Sequence, residues 1–355
     1  MKNYTVGIIG CGRIASLLEQ EPHREKPCSH AGCYDYCPRT TIVAAADVDQ
    51  NRLHAFGHRW NVPRLYRSWQ EMLETESLDI VSVCTYPVPH RDIVVAAAES
   101  GVKAIFCEKA IATTLREADG MIAACEANGV KLSINHTRRW DWCFRTVKSL
   151  IDQGRIGGLR AMTLNFSAGL TNAGTHYFDM LRFFAGDVAW AVGHVSGREL
   201  LDPRGSGYFY FENDVRCFVN GVGGGHADSI FELVGGAGRI TIPTSRPAKP
   251  RLFVDDGSGL KEEPFPATPE EQEVNTFGVG RCVIPLSIQE IVECLDAGTD
   301  SNSTGIDGRA ALEMIFSIHE SERLGNSRVD FPLANRDLQV LVQPTDFISA
   351  AVPEE

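Results

Sequence analysis

Thr5-Val6-Gly7-Ile8-Ile9 is a short apolar run, Gly10-Cys11-Gly12-Arg13-Ile14-Ala15 follows it directly, and Ser16-Leu17-Leu18 continues at helical spacing. The order reads strand, glycine turn, helix, with the G-x-G-x-x-A spacing of a dinucleotide-binding unit. Gly10 permits the tight turn, Gly12 lets the backbone approach a pyrophosphate, and Ala15 keeps the helix close to the strand. The helix start, which holds Arg13 and Ile14, offers unpaired N–H groups and a partial positive charge to that anion. The same letters occur in ordinary loops; their place directly behind a buried-type strand gives them weight.

Outward from this turn, a second buried strand, Ile42-Val43-Ala44-Ala45-Ala46, ends at Asp47. A carboxylate there suits a ribose 2′,3′-diol and repels the 2′-phosphate of NADP, so NAD is the expected cofactor. Gly12 and Asp47 lie 35 positions apart, against a usual ~20, so the stretch from Glu19 to Arg39 must contain an insertion. It carries His23, Cys28, His30, Cys33 and Cys37 among prolines and charged residues. The Cys28-x4-Cys33-x3-Cys37 spacing lacks the C-x2-C pairs of a zinc site. No metal is expected, and the thiols read as solvent-side groups of a loop facing the substrate.

The alternation continues with a helix at Ser68 to Glu74 and a strand at Ile80-Val81-Ser82-Val83-Cys84, which ends in Thr85-Tyr86-Pro87. A helix follows from His90 to Ser100, closed by Gly101, and then a strand, Ala104-Ile105-Phe106-Cys107, ending in Glu108-Lys109-Ala110. Thr114 caps a helix over Leu115 to Ala127, and Val130 to Ile134 is a further strand, ending at Asn135-His136. Strands alternating with helices predict a doubly wound parallel sheet, whose ligands sit beyond the carboxyl ends of the strands. After about residue 140 the texture changes. Helices at Thr146 to Gln153 and Gly174 to Phe184 flank a strand at Leu159 to Phe166. Runs rich in β-branched and aromatic residues then follow one another: Ala189 to Val195, Tyr208 to Glu212, Val215 to Val219, Ser229 to Val234 and Arg239 to Ile242. This predicts a largely antiparallel sheet in an α+β domain. Pro243 to Pro266 reads as loop-rich, and helices at Ser287 to Leu295 and Arg309 to Leu324 close the fold.

With 355 residues, the chain is long enough for about two domains. We place a Rossmann domain at residues 1–135, an α+β domain at 136–340 and a tail at 341–355. There are 34 Lys and Arg against 46 Asp and Glu, a net charge of −12, which argues against nucleic acid or an anionic membrane as partner. No apolar run approaches the ~20 residues of a membrane helix, and the N-terminus does not read as a signal peptide. A cytoplasmic protein is expected, with most of its eleven cysteines reduced and packed as small core residues.

Two places carry chemistry. Lys109, at a strand end, can hydrogen-bond a substrate hydroxyl, and partial desolvation lowers its pKa toward that of a proton shuttle. In Asn172-Ala173-Gly174-Thr175-His176-Tyr177-Phe178-Asp179, His176 falls in the first turn of a helix, with Asp179 on the same face. His176 can then exchange a proton with a hydroxyl undergoing hydride transfer, oriented by Asp179 or another neighbour. Either residue could instead be an ordinary surface charge or a structural histidine.

Taken in order, these features resemble the glucose-fructose oxidoreductase / inositol dehydrogenase / MocA-like oxidoreductases. The likeness runs from Val6 to about Leu333. It rests on Gly10 to Ala15, Asp47, Tyr86-Pro87 with His90, Glu108-Lys109, and Gly174 with His176 and Asp179. Ile230-Phe231-Glu232-Leu233, Gly235 to Ile240 and Gly305-Ile306-Asp307-Gly308 extend it. The resemblance implies an open-faced C-terminal sheet that forms homodimer or homotetramer contacts. It also implies hydride transfer between NAD(P) and a ring carbon of a sugar, cyclitol or related polyol. Lys109 then matches the lysine of an E-K-P motif beside the nicotinamide, and His176 matches the histidine of D-x-G-x-H. Thr85, Tyr86, Pro87, His90 and Glu108 would line the cofactor groove; Asn135, Arg138, Asn172 and Asp179 would border the substrate. Two positions depart from the pattern. Ala110 stands for the proline, so a trans Lys109–Ala110 bond and a shifted lysine are expected. Asn172 stands for the acid; an amide can orient a hydroxyl but cannot accept its proton. Two other readings stay open: NAD-recycling sugar elimination with glycoside cleavage, and a catalytically silent NAD-binding regulator.

Overall fold

The computed structural model describes residues 2–197, 202–221, 229–243, 249–266 and 283–339; the 341–355 segment lies outside them. Its first sheet is built from β1 (Tyr4–Ile9), β2 (Thr40–Ala46), β3 (Arg64–Tyr66), β4 (Ile80–Val83), β5 (Ala104–Cys107) and β6 (Lys131–Ile134). All pairs are parallel, in the order β3-β2-β1-β4-β5-β6. This is the doubly wound dinucleotide-binding order, with its switch point between β1 and β4. β4 and β5 are buried on both faces, so they read as unbroken apolar runs rather than alternating ones. β3, only three residues long and half-exposed at the edge, escaped the sequence reading.

The expected helix behind the glycine turn is interrupted. Residues 13–16 make one turn, Leu17–Gln20 a short 3₁₀ piece, and the chain then loops out before α1 (His30–Tyr36). His30 N donates to Ile14 O (3.1 Å) and Ala31 N to Ala15 O (2.9 Å). An unbroken helix would present residue 18 to Ile14 O; His30 takes that place, so twelve residues are spliced in without loss of register. Removing those twelve from the 35 between Gly12 and Asp47 leaves 23, close to the usual ~20. Glu19 ties the detour shut by accepting from Cys28 N, Ser29 N and Ser29 Oγ at 2.7, 2.7 and 2.9 Å.

The remaining helices of this half are α2 (Gln50–Trp60), α3 (Trp69–Thr75), α4 (His90–Glu99) and α5 (Leu115–Ala127). Thr114 and Glu117 form a reciprocal capping box at the start of α5. Beyond β6 the chain makes a single 3₁₀ turn, Thr137–Arg139, and enters α6 (Trp142–Asp152). α6 starts four residues before the expected Thr146 because Asp141 caps it, accepting from Cys143 N at 2.8 Å.

The second sheet has nine strands: β7 (Leu159–Phe166), β8 (Val188–Ser196), β9 (Arg204–Phe211), β10 (Arg216–Gly221), β11 (Ile230–Gly235), β12 (Gly238–Pro243), β13 (Arg251–Asp255), β14 (Leu260–Glu263) and β15 (Val329–Asp330). Their order is β14-β13-β12-β11-β7-β10-β9-β8-β15, antiparallel except between β7 and β10. β13 and β14 lie within the stretch read as loop-rich; the polar Leu260-Lys261-Glu262-Glu263 run hides a hairpin strand that has no buried face. α7 (Gly174–Ala185), α8 (Ile284–Ala297) and α9 (Gly305–Arg323) complete the described helices. Phe166, Phe178, Phe209, Phe211 and Phe231 fill the core under the second sheet, each fully buried and each worth roughly 1.5–3 kcal/mol of burial. Among the described residues, the opposite face carries half-buried and exposed side chains. On it Trp190 lies 5.3 Å from Tyr208 and 5.4 Å from Tyr210, and Tyr208 lies 5.0 Å from the half-exposed Phe218 (ring centroids).

Candidate active site

The carboxyl ends of β1, β2, β4, β5 and β6 form one rim, which α7 closes from the second half of the chain. At β1, Gly10 has φ +89°, where a side chain is strained, and a Cβ there would stand 3.0 Å from the Cys84 carbonyl. Gly12 shows the opposite need: a Cβ would meet no heavy atom within 4 Å. The space above the turn is open, as a pyrophosphate requires. The amides of residues 12–14 precede the first turn bond, Ser16 N to Gly12 O at 3.0 Å, so they remain to bind an anion. Arg13 is exposed and its guanidinium turns to Glu21 at 2.7 Å, while Ile14 is half-buried.

Asp47 holds the turn to β2. Its Oδ2 accepts from Cys11 N at 2.7 Å and its Oδ1 from Asp49 N at 2.8 Å, with the Arg52 guanidinium 3.6 Å away. Each carboxylate oxygen has a second acceptor site left, so a ribose diol fits. Behind β4, Tyr86 is exposed and Thr85 and Pro87 half-buried. His90 corrects the reading of a groove-lining residue. It is fully buried, with Nε2 3.0 Å from Thr85 O and Nδ1 3.1 Å from both Ala110 O and Ile111 O. Its ring ties the β4 turn to the segment behind β5, and burial pushes its pKa down.

Glu108 and Asn135 are likewise beneath the surface rather than on it. The Glu108 carboxylate receives His30 Nε2 at 2.9 Å and Asn135 Nδ2 at 2.6 Å; His30 Nδ1 meets Ser82 Oγ at 2.7 Å. Burial pushes His30 down and Glu108 up. Both shifts are reversed, for His30 by Cys84 and Glu108, and for Glu108 chiefly by His30, so an imidazolium–carboxylate pair results. The inserted segment therefore faces inward: His30 stacks on Phe106 (4.7 Å) and Cys28, Cys33 and Tyr34 are buried, contrary to the expectation of solvent-side thiols. Among the described residues, no cluster of His, Cys, Asp or Glu is placed to hold a metal ion.

Above that pair sits Lys109. The Lys109–Ala110 bond is cis, not trans as expected. Lys109 Nζ donates to Asn172 O (2.9 Å) and Asn172 Oδ1 (2.7 Å), leaving one ammonium N–H for a ligand. Burial lowers the Lys109 pKa; Glu108 and Asp202 work against the shift, and Arg138 adds to it. His176 lies half-buried in the first turn of α7, and its Nδ1 has no hydrogen-bond partner among the described residues. Burial, with the charges of Arg138 and Lys109 and the neighbouring His136, holds its pKa well below the usual value, so the ring is neutral at pH 7. Arg138 is half-buried with its guanidinium 4.5 Å over the Tyr177 ring. Asn172 is exposed.

Asp179 is not at the cleft. It is fully buried, with Arg139 Nε 2.9 Å from both oxygens, Arg139 Nη2 2.8 Å from Oδ1, and His136 Nδ1 at 3.4 Å. Burial would raise its pKa, yet His136 and Arg139 hold it at about 2. His136 separates it from His176, its ring edge-on to His176 at 5.7 Å. The sequence reading missed His30, His136, Arg139 and Asp202. Only Arg139 carried a signal, as the second of two adjacent arginines in a turn otherwise inside the fold.

The parallel sheet, the glycine turn and the acid ending β2 define a dinucleotide-binding domain. Residues 4–136 match the model of an oxidoreductase family described as having an NAD-binding Rossmann fold. Through this domain, residues 4–136, the chain is similar to the glucose-fructose oxidoreductase / inositol dehydrogenase / MocA-like oxidoreductases. It is 32% identical over 205 residues to a D-apiose dehydrogenase of Paraburkholderia graminis, covering 53% of this chain and 51% of that protein. It is 26% identical over 213 residues to a myo-inositol 2-dehydrogenase of Thermotoga maritima, covering 56% and 60%. The chain thus spans about half to three-fifths of the length of these curated relatives. A levoglucosan dehydrogenase solved with NADH and L-sorbose superposes with a TM-score of 0.79 over 94% of this chain and 100% of its own, at 19% identity. That likeness is one of fold.

Proposed function

We propose that the protein is an NAD-dependent dehydrogenase that transfers a hydride between a ring hydroxyl of a sugar, cyclitol or related polyol and the nicotinamide. One observation carries the reading. Lys109 is held to Asn172, at the start of the turn that bears His176, so an ammonium with a free N–H and a half-buried, neutral imidazole share the rim beyond the glycine turn. The D-apiose and myo-inositol dehydrogenases among the relatives support the substrate class.

Residues Gly10, Gly12 and Asp47 would hold NAD, which when bound supplies the hydride acceptor. The third N–H of Lys109 donates to the substrate oxygen, favouring its partial negative charge as the C–H bond breaks. His176, neutral, takes the hydroxyl proton. The imidazolium so formed lies near Lys109 and Arg138, whose charges favour passing that proton on to solvent. Asn172 orients Lys109 and takes no proton. The test is a screen of sugars and cyclitols with NAD and NADP, preceded by fluorescence titration of NADH. NAD-linked turnover that disappears in the Lys109→Ala, His176→Ala double variant is expected; intact turnover in that variant, or no NADH binding by the wild type, rejects the reading.

We further propose a second copy of the chain as the occupant of the open sheet face, over the Trp190, Tyr208, Tyr210 and Phe218 aromatic strip. Sedimentation should show a dimer or tetramer for the wild type and a smaller species for Phe218→Asp; equal sizes would exclude this face. Among the described residues, no helix is long and apolar enough to cross a membrane.

A further inference from the structure

Asn172 is an amide where the D-x-G-x-H pattern has a carboxylate, yet a carboxylate arrives at this spot from elsewhere in the chain. Asp202, in the connection between β8 and β9, accepts from Thr171 N on Oδ1 at 2.9 Å and from Asn172 N on Oδ2 at 2.8 Å. One carboxylate therefore pins two successive amides, with charge-assisted bonds roughly twice as strong as neutral ones. From the same residue, the carbonyl and the side-chain oxygen of Asn172 both accept from Lys109 Nζ. The fit around Asp202 is close: a Cβ added at Gly169 would fall 2.2 Å from its carboxylate. Carboxylate, peptide and ammonium form one chain of hydrogen bonds across the cleft.

We propose that Asp202 is the positioning residue for Lys109, supplying from the β8–β9 connection the carboxylate that Asn172 lacks and fixing the ammonium through the Thr171–Asn172 backbone. The inference rests on the reading of Lys109 as the group that meets the substrate hydroxyl. Among the described residues, four charged or titratable groups surround that lysine: Glu108 behind β5, Asp202, Arg138 in the turn after β6, and His176 on α7. Glu108 is already paired with His30. Asp202 and Glu108 favour the ammonium, whereas burial and Arg138 oppose it. Loss of Asp202 therefore moves the titration of Lys109 to lower pH.

The experiment compares wild type, Asp202→Asn and Asp202→Ala by two readouts. The first is competitive acetylation of Lys109 across pH, read by peptide mass spectrometry, which needs no substrate. Its midpoint should fall by about half a pH unit or more in both variants, because both lose the charge. The second is turnover of whichever polyol the wild type oxidises. kcat should fall roughly tenfold or more, while NADH binding stays within about twofold, since Asp202 contacts no residue of the glycine turn. Asp202→Asn keeps the side-chain size, so a folding defect confined to Asp202→Ala is recognised by comparison. An unmoved Lys109 midpoint in Asp202→Asn overturns the proposal. A shifted midpoint in a protein that binds NADH but turns over no polyol leaves the positioning role standing and removes the dehydrogenase reading.

Discussion

Two clusters of charge are served by the same helix, α7, and they are built in opposite ways. Asp179 is sealed inside: Arg139 reaches both of its oxygens, His136 stands on its other side, and Asp307 lies 3.1 Å from the same guanidinium. One turn nearer the helix start, His176 is desolvated but keeps a nitrogen without a partner, and Lys109 keeps a donor in reserve. Both clusters show pKa shifts of the kind found at catalytic centres. The second keeps a Lys109 donor free at the cleft, whereas His136 Nδ1 of the first, which also lacks a hydrogen-bond partner, is sealed among buried side chains. A displaced pKa therefore points to chemistry when it coincides with unfinished hydrogen bonding at a cleft, and to architecture when the groups are closed off inside the fold.

Lys109→Ala should break the open cluster with the largest effect, a loss of roughly 10²–10⁴ in kcat, with the unfolding midpoint close to wild type. Steady-state rates beside thermal melts would show it; a large stability loss with turnover preserved would reverse the comparison. Asp179→Ala should do the converse. Leaving Arg139 buried without its partner costs about 3–5 kcal/mol of stability, measurable by urea unfolding. Activity per folded molecule should hold up better than in Lys109→Ala, and equal losses would put Asp179 back at the cleft.

Asp47 lies between these extremes, since it is bonded to two backbone amides and still has acceptor sites for a ribose. Asp47→Ala should weaken NAD binding about tenfold or more and narrow the preference over NADP, as seen by titrating both reduced cofactors. Unchanged discrimination would mean that Asp47 serves the turn alone. The smallest effects are those of pH on stability. The Asp179 pKa is depressed, so its contribution is complete above the unfolded value of about 3.9 and is lost as pH falls toward about 2. The His176 pKa is also depressed. Below pH ~6.5 the unfolded chain takes up a proton that the folded protein refuses, and stability falls with pH. His176→Gln should flatten that slope between pH ~6.5 and 5, whereas Asp179→Asn, which lowers stability at neutral pH, should leave that slope intact and remove only the acid limb below pH ~3.9.

The cofactor edge was legible in the sequence because its demands are local: Gly10 needs a backbone conformation, Gly12 needs open space, and Asp47 need only end its strand. The positions of Lys109 and His176 at the rim were legible through their neighbours in the chain. Asp179, three residues from His176, was misassigned because helical spacing sets the side on which a residue points but not what the packed domain places there. His90 and Glu108 failed similarly, since strand ends supply buried struts as well as ligands. Asp202 and His30 had no local signal at all; each acts on a residue that only folding brings near, across separations of 30 and 78 positions.

The twelve-residue detour behind the glycine turn has a consequence of its own. Because its two ends resume one helical register, it is topologically a side branch whose closure burdens the sheet with no long loop. Excising Leu17 to Cys28 would join Ser16 to Ser29 in continuous helix, with His30 still delivered to Glu108. The same junction is a natural port: a peptide tag or a reporter domain spliced there would ride on the cofactor-binding half without disturbing the strand order.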